Sequence, residues 1–201
     1  MDGVGNSWAT GRAPNSTAAV PRGVGGWIVG RSMLWFNKQD DVLEKLDIRP
    51  GEDVLEIGYG PGGLIRLLAG HTQARTIYGV DPSESMHKAA VWLNRKAERV
   101  RLAIGTAEKT GLDEACVDCV VSINNVAIWP DLAAGVGEIQ RVLRPGGRVA
   151  IGWHGGRKTG PIADGLRLPP DKLARIESAL TDRFAAVQRE SMAELEMFRA
   201  V

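Results

Sequence analysis

Residues 53–63, Asp-Val-Leu-Glu-Ile-Gly-Tyr-Gly-Pro-Gly-Gly, constrain the fold of this chain more than any other stretch. A short run of β-forming apolar residues ends at Ile57, and four glycines and a proline separate it from a helical pattern that begins at Leu64. The pattern predicts a strand, a tight loop and a helix. Glycine lacks a Cβ and tolerates positive φ, so such a loop lets backbone approach a ligand closely beside the free N–H groups of a helix start. Loops of this kind are typical of nucleotide-binding sites.

The loop alone fits more than one kind of nucleoside. Gly58, Gly60 and Gly63 satisfy the G-x-G-x-x-G pattern of dinucleotide-binding folds, which leaves a nicotinamide-dependent oxidoreductase open at this point. Glu56 lies at the end of the predicted buried strand, where an acidic side chain needs a polar partner. It could order the glycine loop or face a cationic ligand.

Composition limits the classes of function. With 201 residues, 44% of them hydrophobic, the chain suits one globular domain with a sizeable core. A net charge of +1 with evenly spread Lys and Arg gives no basic stripe, so we expect small molecules as partners rather than nucleic acid or a membrane surface. No apolar run approaches the roughly 20 residues of a membrane span, and the N-terminus lacks a signal-peptide core. We therefore expect a cytoplasmic location.

Cys116 and Cys119 have C-x-x-C spacing, which is found in metal and redox sites. They flank the start of an apolar strand, where residues three apart point to opposite faces, and no second Cys/His cluster completes a zinc site. The sequence therefore predicts no metal, and two reduced thiols.

Three regions are predicted along the chain. Residues 1–22 are rich in small and polar residues without periodicity, which predicts a flexible arm. Residues 23–47 are too apolar for a free tail and are expected to form a helical lid, in which Trp27 and Trp35 cover a substrate pocket, or a helix that only caps the core. Residues 48–201 form the main domain.

Polar residues follow successive predicted strands of this domain. Asp81 ends the second strand, 18 residues past Gly63, where a carboxylate would accept hydrogen bonds from a ribose diol; its alternative role as a helix N-cap is weakened because Ser83 can serve instead. Residues 106–108 follow the third strand, along the edge where ligands bind in doubly wound sheets. The fourth strand, Cys116–Ile123, has a nearly continuous apolar run, as in central parallel strands. Two closing β-prone runs, 184–188 and 195–201, are expected to form an antiparallel pair.

These motifs, in this order, resemble the class I S-adenosylmethionine-dependent methyltransferases, especially those that act on small molecules. The resemblance covers about residues 45–201. The matching segments are the glycine loop 54–63, the acidic tip Val80-Asp81-Pro82-Ser83, the segment Thr106-Ala107-Glu108, the segment Ser122–Asp131 after the fourth strand, and the turn Leu143–Gly147 before the fifth.

The resemblance implies an α/β fold with a Rossmann-like, doubly wound sheet of seven strands, mostly parallel, with an antiparallel last strand. It implies S-adenosyl-L-methionine as cofactor. The glycine loop would hold its methionine part, Asp81 its ribose hydroxyls, residues 106–108 its adenine, and Asn124 would lie beside its amino acid end. The predicted cofactor-binding residues are Glu56, Gly58, Tyr59, Gly60, Gly62, Asp81, Pro82, Thr106, Ala107, Glu108 and Asn124.

This sequence departs from the family where a catalytic base is often found. The family often has a histidine before Trp-Pro-Asp, whereas Ile128 precedes Trp129 here. His154, just after the fifth strand, is then the candidate base, against a surface or structural role. Trp27, Trp35, Trp129 and Trp153 suggest flat walls for a hydrophobic or aromatic acceptor, although a core position is an equal alternative for Trp153.

The function predicted from the sequence is in-line methyl transfer to O, N or C of a small, hydrophobic or aromatic metabolite. The sulfonium cofactor is already electrophilic, so positioning of the nucleophile and exclusion of water carry most of the catalysis. One alternative is a protein that binds S-adenosylmethionine without methyl transfer, or uses its charge for another reaction. A nicotinamide oxidoreductase fits less well because the later motifs have no role in one and the chain lacks a substrate domain.

Overall fold

A computed structural model describes residues 6–11 and 40–201 of the chain. Within these residues the sheet has seven strands, and five α-helices of seven or more residues accompany it. The elements, in chain order, are α1 (Asp40–Leu46), β1 (Asp53–Ile57), α2 (Gly63–His71), β2 (Thr76–Asp81), α3 (Glu84–Leu93), β3 (Val100–Ile104), β4 (Val117–Ile123), a 3₁₀ helix (Val126–Ile128), α4 (Leu132–Val142), β5 (Leu143–His154), α5 (Pro161–Leu166), α6 (Pro170–Thr181), β6 (Val187–Ser191) and β7 (Leu195–Ala200).

The strand order is β3-β2-β1-β4-β5-β7-β6, with β1 to β5 parallel and β7 antiparallel to both of its neighbours. The predicted mostly parallel, seven-stranded sheet with an antiparallel last strand is therefore confirmed. The chain order reverses direction between β1 and β4, and ligands in open α/β sheets bind at the carboxyl ends of the strands beside such a switch point.

Alternate residues of the central strands face two separate hydrophobic clusters, one on each side of the sheet. Leu55 of β1 packs in the cluster that α4 and α6 cover, whereas its neighbour Val54 packs in the cluster that α1 and α2 cover. Because both faces of β1 and β4 are covered, the residues of these strands are buried nearly throughout. This rigid centre positions the loops at the strand ends.

Ion pairs connect side chains of neighbouring strands at the amino-terminal edge of the sheet. Arg144 donates hydrogen bonds to Asp53 at the start of β1 (2.8 Å) and to Asp118 in β4 (2.6 Å), and Arg75 also pairs with Asp53. Burial opposes ionisation of Asp53, yet the hydrogen bonds from Arg75 and Arg144 lower its pKa to about 2. The polar groups of this edge are thus bound to one another.

Two segments differ from the sequence-based prediction. The strand predicted at 184–188 begins at Val187 instead, because residues 182–184 finish the last turn of α6, where the N–H of Phe184 donates to the Leu180 carbonyl (2.9 Å). Residues 6–11, assigned to a flexible arm, form a turn that is hydrogen-bonded to the segment after β4. For these six residues the structure shows a docked turn rather than a loose arm.

The predicted lid falls largely outside the described residues, since Trp27 and Trp35 lie in the segment 12–39. Its last part, α1, packs on the core through the buried side chains Val42 and Leu46. Across residues 6–11 and 40–201, no helix is both long enough and apolar enough to cross a membrane. The same residues contain no group of three or more His, Cys, Asp or Glu side chains placed to hold a metal ion, and both cysteines are free thiols.

Candidate active site

Hydrogen bonds at the carboxyl ends of the parallel strands bring the predicted site residues to one edge. The N–H of Gly58 donates to the Val80 carbonyl (2.7 Å), which joins the glycine loop to the tip of β2. The N–H of Asn124 donates to the Gly152 carbonyl (2.8 Å), which joins the tip of β4 to β5. The predicted residues that this edge brings together are Gly58, Asp81, Gly60, Asn124 and His154.

Three glycines of the loop have positive φ: Gly58 (+73°), Gly60 (+52°) and Gly62 (+86°). A Cβ at Gly62 would lie 2.9 Å from the Cβ of Ala90 in α3, so this glycine lets two helices pack closely. At Gly60, by contrast, no atom of the described residues lies within 4 Å of the position that a Cβ would take. The loop therefore presents bare backbone to open space at Gly60, as close approach of a ligand requires.

Asp81 orders the glycine loop directly. Its carboxylate accepts hydrogen bonds from the N–H of Gly60 (2.9 Å) and from the N–H of Ser83 (2.8 Å). Burial raises the pKa of Asp81, and these two hydrogen bonds oppose that rise. Ser83, not Asp81, is the N-cap of α3, since its hydroxyl accepts from the N–H of Met86 (3.4 Å). Pro82 is exposed at the tip between them.

Two buried oxygen atoms at this edge have no hydrogen-bond partner among residues 6–11 and 40–201: Oε2 of Glu56 and Oδ1 of Asn124. Asn124 also has a left-handed backbone (φ +59°), which asparagine tolerates better than most residues. Burial, reinforced by the nearby charge of Asp81, raises the pKa of Glu56 to about 8, while a hydrogen bond from the Ile65 backbone opposes the rise. A buried acceptor without a partner is costly, and a cationic ligand group would satisfy it.

The raised pKa of Glu56 predicts how the stability of the ligand-free protein changes with pH. A folded-state pKa of about 8 against an ordinary value of 4.5 means that its contribution to stability is full below pH 4.5 and is lost as the pH rises toward 8. Glu56→Gln should remove this dependence, worth on the order of 3 to 5 kcal/mol across that range. Urea unfolding of both proteins at several pH values checks it, and parallel stability curves would show that Glu56 ionises normally.

The side chain of Tyr59 points away from the open face of the loop. It is buried, with its hydroxyl 2.8 Å from Nδ1 of His87 and donating to the Ala103 carbonyl (3.1 Å). Burial, with the charges of Asp81 and Glu56, raises its pKa well above the ordinary value. A ligand in the loop would therefore meet the backbone of Tyr59, and the imidazole of His87 has a structural partner in the Tyr59 hydroxyl.

Asn125 locks the end of β4 to the glycine loop. Its amide donates to the Ile57 carbonyl (2.7 Å), and its Oδ1 accepts from the Ser122 hydroxyl (2.7 Å) and from the indole N–H of Trp129 (2.7 Å). A Cβ at Gly58 would overlap this amide. The glycine is thus required by close packing as well as by its φ.

Trp129 lies in the core rather than on an open wall. Only 4% of it is exposed, and a Cβ at Gly135 of α4 would approach its ring at 2.7 Å. With its N–H bound to Asn125, this ring packs beneath α4. The prediction that it lines an acceptor pocket has no support in this position.

Residues 106–108 form a tight turn after β3. The N–H of Thr106 bonds to the Lys109 carbonyl (3.1 Å), Ala107 is buried, and Oε1 of Glu108 accepts from the N–H of Asp131 (3.2 Å). The turn follows the edge of the sheet next to Asp81, since the N–H of Gly105 donates to the Asp81 carbonyl (3.3 Å). This placement suits the predicted contact with a purine base.

His154 and Trp153 lie at the carboxyl end of β5. His154 is half-buried, and desolvation lowers its pKa, with Glu194 opposing the shift. Its ring meets that of Trp153 edge to face at 5.7 Å, and the Trp153 indole N–H donates to the Leu166 carbonyl (2.9 Å). A lowered pKa keeps the imidazole neutral at neutral pH, the form that a general base needs.

Sequence reasoning missed several residues that shape this edge: Ser122 and Asn125, which hold the loop, and Ser7 and Trp8, which contact the segment after β4. The Asn124-Asn125 pair after an apolar strand was a usable signal for Asn125, because a strand end that faces a glycine loop leaves carbonyls to satisfy. No local pattern marked Ser7 and Trp8.

The residues at this edge fit S-adenosylmethionine. The orphaned oxygens of Glu56 and Asn124 would accept from its ammonium group, the open backbone at Gly60 leaves space for its chain, and Asp81 has lone pairs left for the ribose hydroxyls. The fold is that of a Rossmann-like domain whose switch-point edge can hold a nucleoside cofactor.

Comparison with known proteins is consistent with this fold and this site. Residues 55–151 match a family model described as a methyltransferase domain. The uncharacterized methyltransferase YdaC of Bacillus subtilis is 34% identical over 128 residues, which cover 64% of this chain and 69% of YdaC. Nocamycin O-methyltransferase of Saccharothrix syringae is 30% identical over 60% of this chain, but that stretch is 42% of the nocamycin enzyme. A SAM-dependent methyltransferase structure from Aquifex aeolicus aligns with a TM-score of 0.69 at 21% identity, covering 84% of this chain and 92% of that one.

The chain belongs to the class I S-adenosylmethionine-dependent methyltransferase family. It is an enzyme of this type, and S-adenosyl-L-methionine is its cofactor.

Proposed function

We propose that this enzyme methylates O, N or C of a small, hydrophobic or aromatic metabolite, and that residues of the carboxyl edge hold the cofactor while β5 and the loop after it receive the acceptor. The observation that carries the cofactor placement is the pair of orphaned buried oxygens on Glu56 and Asn124. Asn124 is the residue that the resemblance assigns to the amino acid end of the cofactor, and Glu56 is proposed to face its ammonium group. Asp81, at the tip of the neighbouring strand, is proposed to bind the ribose.

When bound, S-adenosylmethionine supplies an electrophilic methyl group and a neutral thioether leaving group. The protein then has to orient an acceptor and exclude water, which lowers the barrier through positioning. For a hydroxyl acceptor, a proton must leave the oxygen as the new O–C bond forms. His154 is proposed to accept it at the carboxyl end of β5, two strands away from the glycine loop, about 10 Å at ordinary strand spacing.

Trp153 supports an aromatic or hydrophobic acceptor. Its half-buried ring lies beside His154, with one side on the core. The likeness to nocamycin O-methyltransferase favours oxygen as the acceptor atom, although the acceptor of that larger enzyme is not carried over to this chain. Trp27 and Trp35 remain predicted contributors from the segment outside the described residues.

His154→Ala should lower turnover of a hydroxyl acceptor by roughly 10²- to 10⁴-fold while leaving affinity for S-adenosylhomocysteine unchanged. In the wild type, turnover should fall on acidification through a pKa below the ordinary 6.5, because protonated imidazole cannot act as a base. The turnover of His154→Ala should not show this fall at acidic pH. Steady-state rates from pH 5 to 8 measure both effects, with His71→Ala at the exposed end of α2 as the control. Unchanged turnover would leave positioning alone as the mechanism.

Product analysis tests the proposal as a whole. The enzyme is incubated with S-adenosylmethionine and a panel of phenols, amines and activated carbon acids, and mass spectrometry follows S-adenosylhomocysteine together with acceptors heavier by one methyl group in place of hydrogen. Stoichiometric formation of both supports methyl transfer. A chemically changed acceptor without consumption of the cofactor would instead support the alternative in which the bound cofactor serves another reaction.

A further inference from the structure

The segment that contains Ser7 and Trp8 binds the 3₁₀ helix that follows β4. The Ser7 hydroxyl donates to the Ala127 carbonyl (2.6 Å), and the indole N–H of Trp8 donates to the Val126 carbonyl (2.7 Å). The backbone N–H of Trp8 donates to the carbonyl of Trp129 (3.0 Å). Ser7 is only 4% exposed, which is unusual for a polar residue near a chain end.

These bonds give short-range partners to carbonyls of the 3₁₀ helix, which itself gives the Val126 carbonyl only a long bond from the N–H of Trp129 (3.4 Å). The last carbonyls of any helix lack partners within it, and this helix has only three residues. Val126 and Ala127 are both buried, so water could not easily replace the lost donors. The partners instead come from a segment about 120 residues away, since Ser7 and Ala127 are 120 positions apart.

In the sequence, the 3₁₀ helix lies between Asn124 and Asn125 on one side and Trp129 on the other. Asn125 is its N-cap residue, and Trp129 follows its end and donates to the Asn125 side chain. Asn125 in turn holds the Ile57 carbonyl next to the glycine loop. A continuous set of hydrogen bonds therefore connects Trp8 with the loop that holds the cofactor.

Trp8 also makes contact with a third element. The guanidinium of Arg175 lies 5.0 Å from the centre of its ring, and the ammonium of Lys172 lies 5.8 Å away, both within cation–π range. These residues belong to α6, which packs on α4. The indole thus spans the gap between α6 and the end of β4.

We propose that Ser7 and Trp8 are positioning residues of the cofactor site: they hold the 3₁₀ helix so that Asn124 and Asn125 face the glycine loop. The inference rests on the cofactor placement proposed above. It extends the functional unit beyond the matched methyltransferase segment, because residues outside 55–151 then set cofactor affinity.

The test uses the full chain with Trp8→Phe and Ser7→Ala. Phenylalanine keeps an aromatic ring but loses the indole donor. Isothermal titration with S-adenosylhomocysteine should give a Kd raised about tenfold or more in each variant, and amide hydrogen exchange should speed up in residues 124–129. Ser7→Thr keeps the hydroxyl and should restore wild-type affinity.

A general loss of stability is separated from positioning by Val142→Ala, a core truncation at the last residue of α4. This control should lower the melting temperature yet leave the Kd and the exchange of residues 124–129 unchanged below it. If Ser7→Ala and Trp8→Phe bind S-adenosylhomocysteine as the wild type does, the inference is overturned and the segment only packs there. Failure of the wild type to bind would instead refute the cofactor placement itself.

Discussion

Replacing Asp81 with alanine is expected to weaken S-adenosylhomocysteine binding by ten- to a hundredfold while the protein stays folded. The change removes the carboxylate that is proposed to accept hydrogen bonds from the ribose hydroxyls, each of the charge-assisted kind worth roughly 1.5 to 3 kcal/mol. It also frees the N–H of Gly60, which Asp81 now holds at 2.9 Å, so the glycine loop loses order as well. Titration calorimetry on the variant measures the loss.

Two controls make the result specific. Asp81→Asn keeps an acceptor oxygen and the side-chain shape, so its loss of affinity should be intermediate. Asp118→Ala removes an acid from the opposite, amino-terminal edge, where it pairs with Arg144, and should not change affinity. Wild-type affinity in Asp81→Ala would mean that the ribose lies elsewhere.

Gly58→Ala is expected to destabilise the protein by about 2 to 4 kcal/mol. A left-handed φ of +73° is strained for alanine, and the new methyl group would overlap the Asn125 amide. Relief would require Asn125 to release the Ile57 carbonyl that it holds at 2.7 Å, which separates β4 from the glycine loop. Denaturant unfolding without ligand measures the change.

Gly60→Ala is the matched comparison. Gly60 also has positive φ, but a Cβ at this position would meet no atom of the described residues within 4 Å apart from its chain neighbours. We expect a smaller loss of stability, about 1 kcal/mol, together with a large loss of cofactor affinity because the methyl group would occupy ligand space. Equal destabilisation by the two substitutions would show that backbone strain, rather than contact with Asn125, makes Gly58 necessary.

The strand–loop–helix at the centre of the fold was predictable because its signals are local. An apolar β run, the glycines and the following helical period all lie within about 20 residues, and the acid after the next strand falls at the spacing of a βαβ unit. Parallel strands then require that their carboxyl ends share an edge. Placement of Gly58, Asp81 and Asn124 at that edge follows from these facts, and their cofactor roles remain predictions.

The core position of Trp129 could not be predicted in the same way. A tryptophan near a strand tip suits a pocket wall and a core equally well, and the choice depends on whether a neighbouring helix leaves room for it. Gly135 of α4 provides that room, which is a packing fact about a separate element. The spacing of residues in the sequence does not show that Gly135 and Trp129 are in contact.

The contact of Ser7 and Trp8 with the segment after β4 could not be predicted from the sequence either. A single docked turn has no hydrophobic period, and its partners lie 118 and 120 positions away. Small, polar residues around it have the composition of a disordered tail. Similarly, the start of β6 depends on where α6 ends and on pairing with β7, since Val187 lies opposite Ala200.

Titration of the wild-type protein with S-adenosylhomocysteine, with NADH as the comparison ligand, tests the central claim most directly. We expect one site per chain with micromolar affinity for S-adenosylhomocysteine and no heat of binding for NADH, because the orphaned acceptors of Glu56 and Asn124 suit an ammonium group. Binding of NADH at the same site, or of neither ligand, would contradict it.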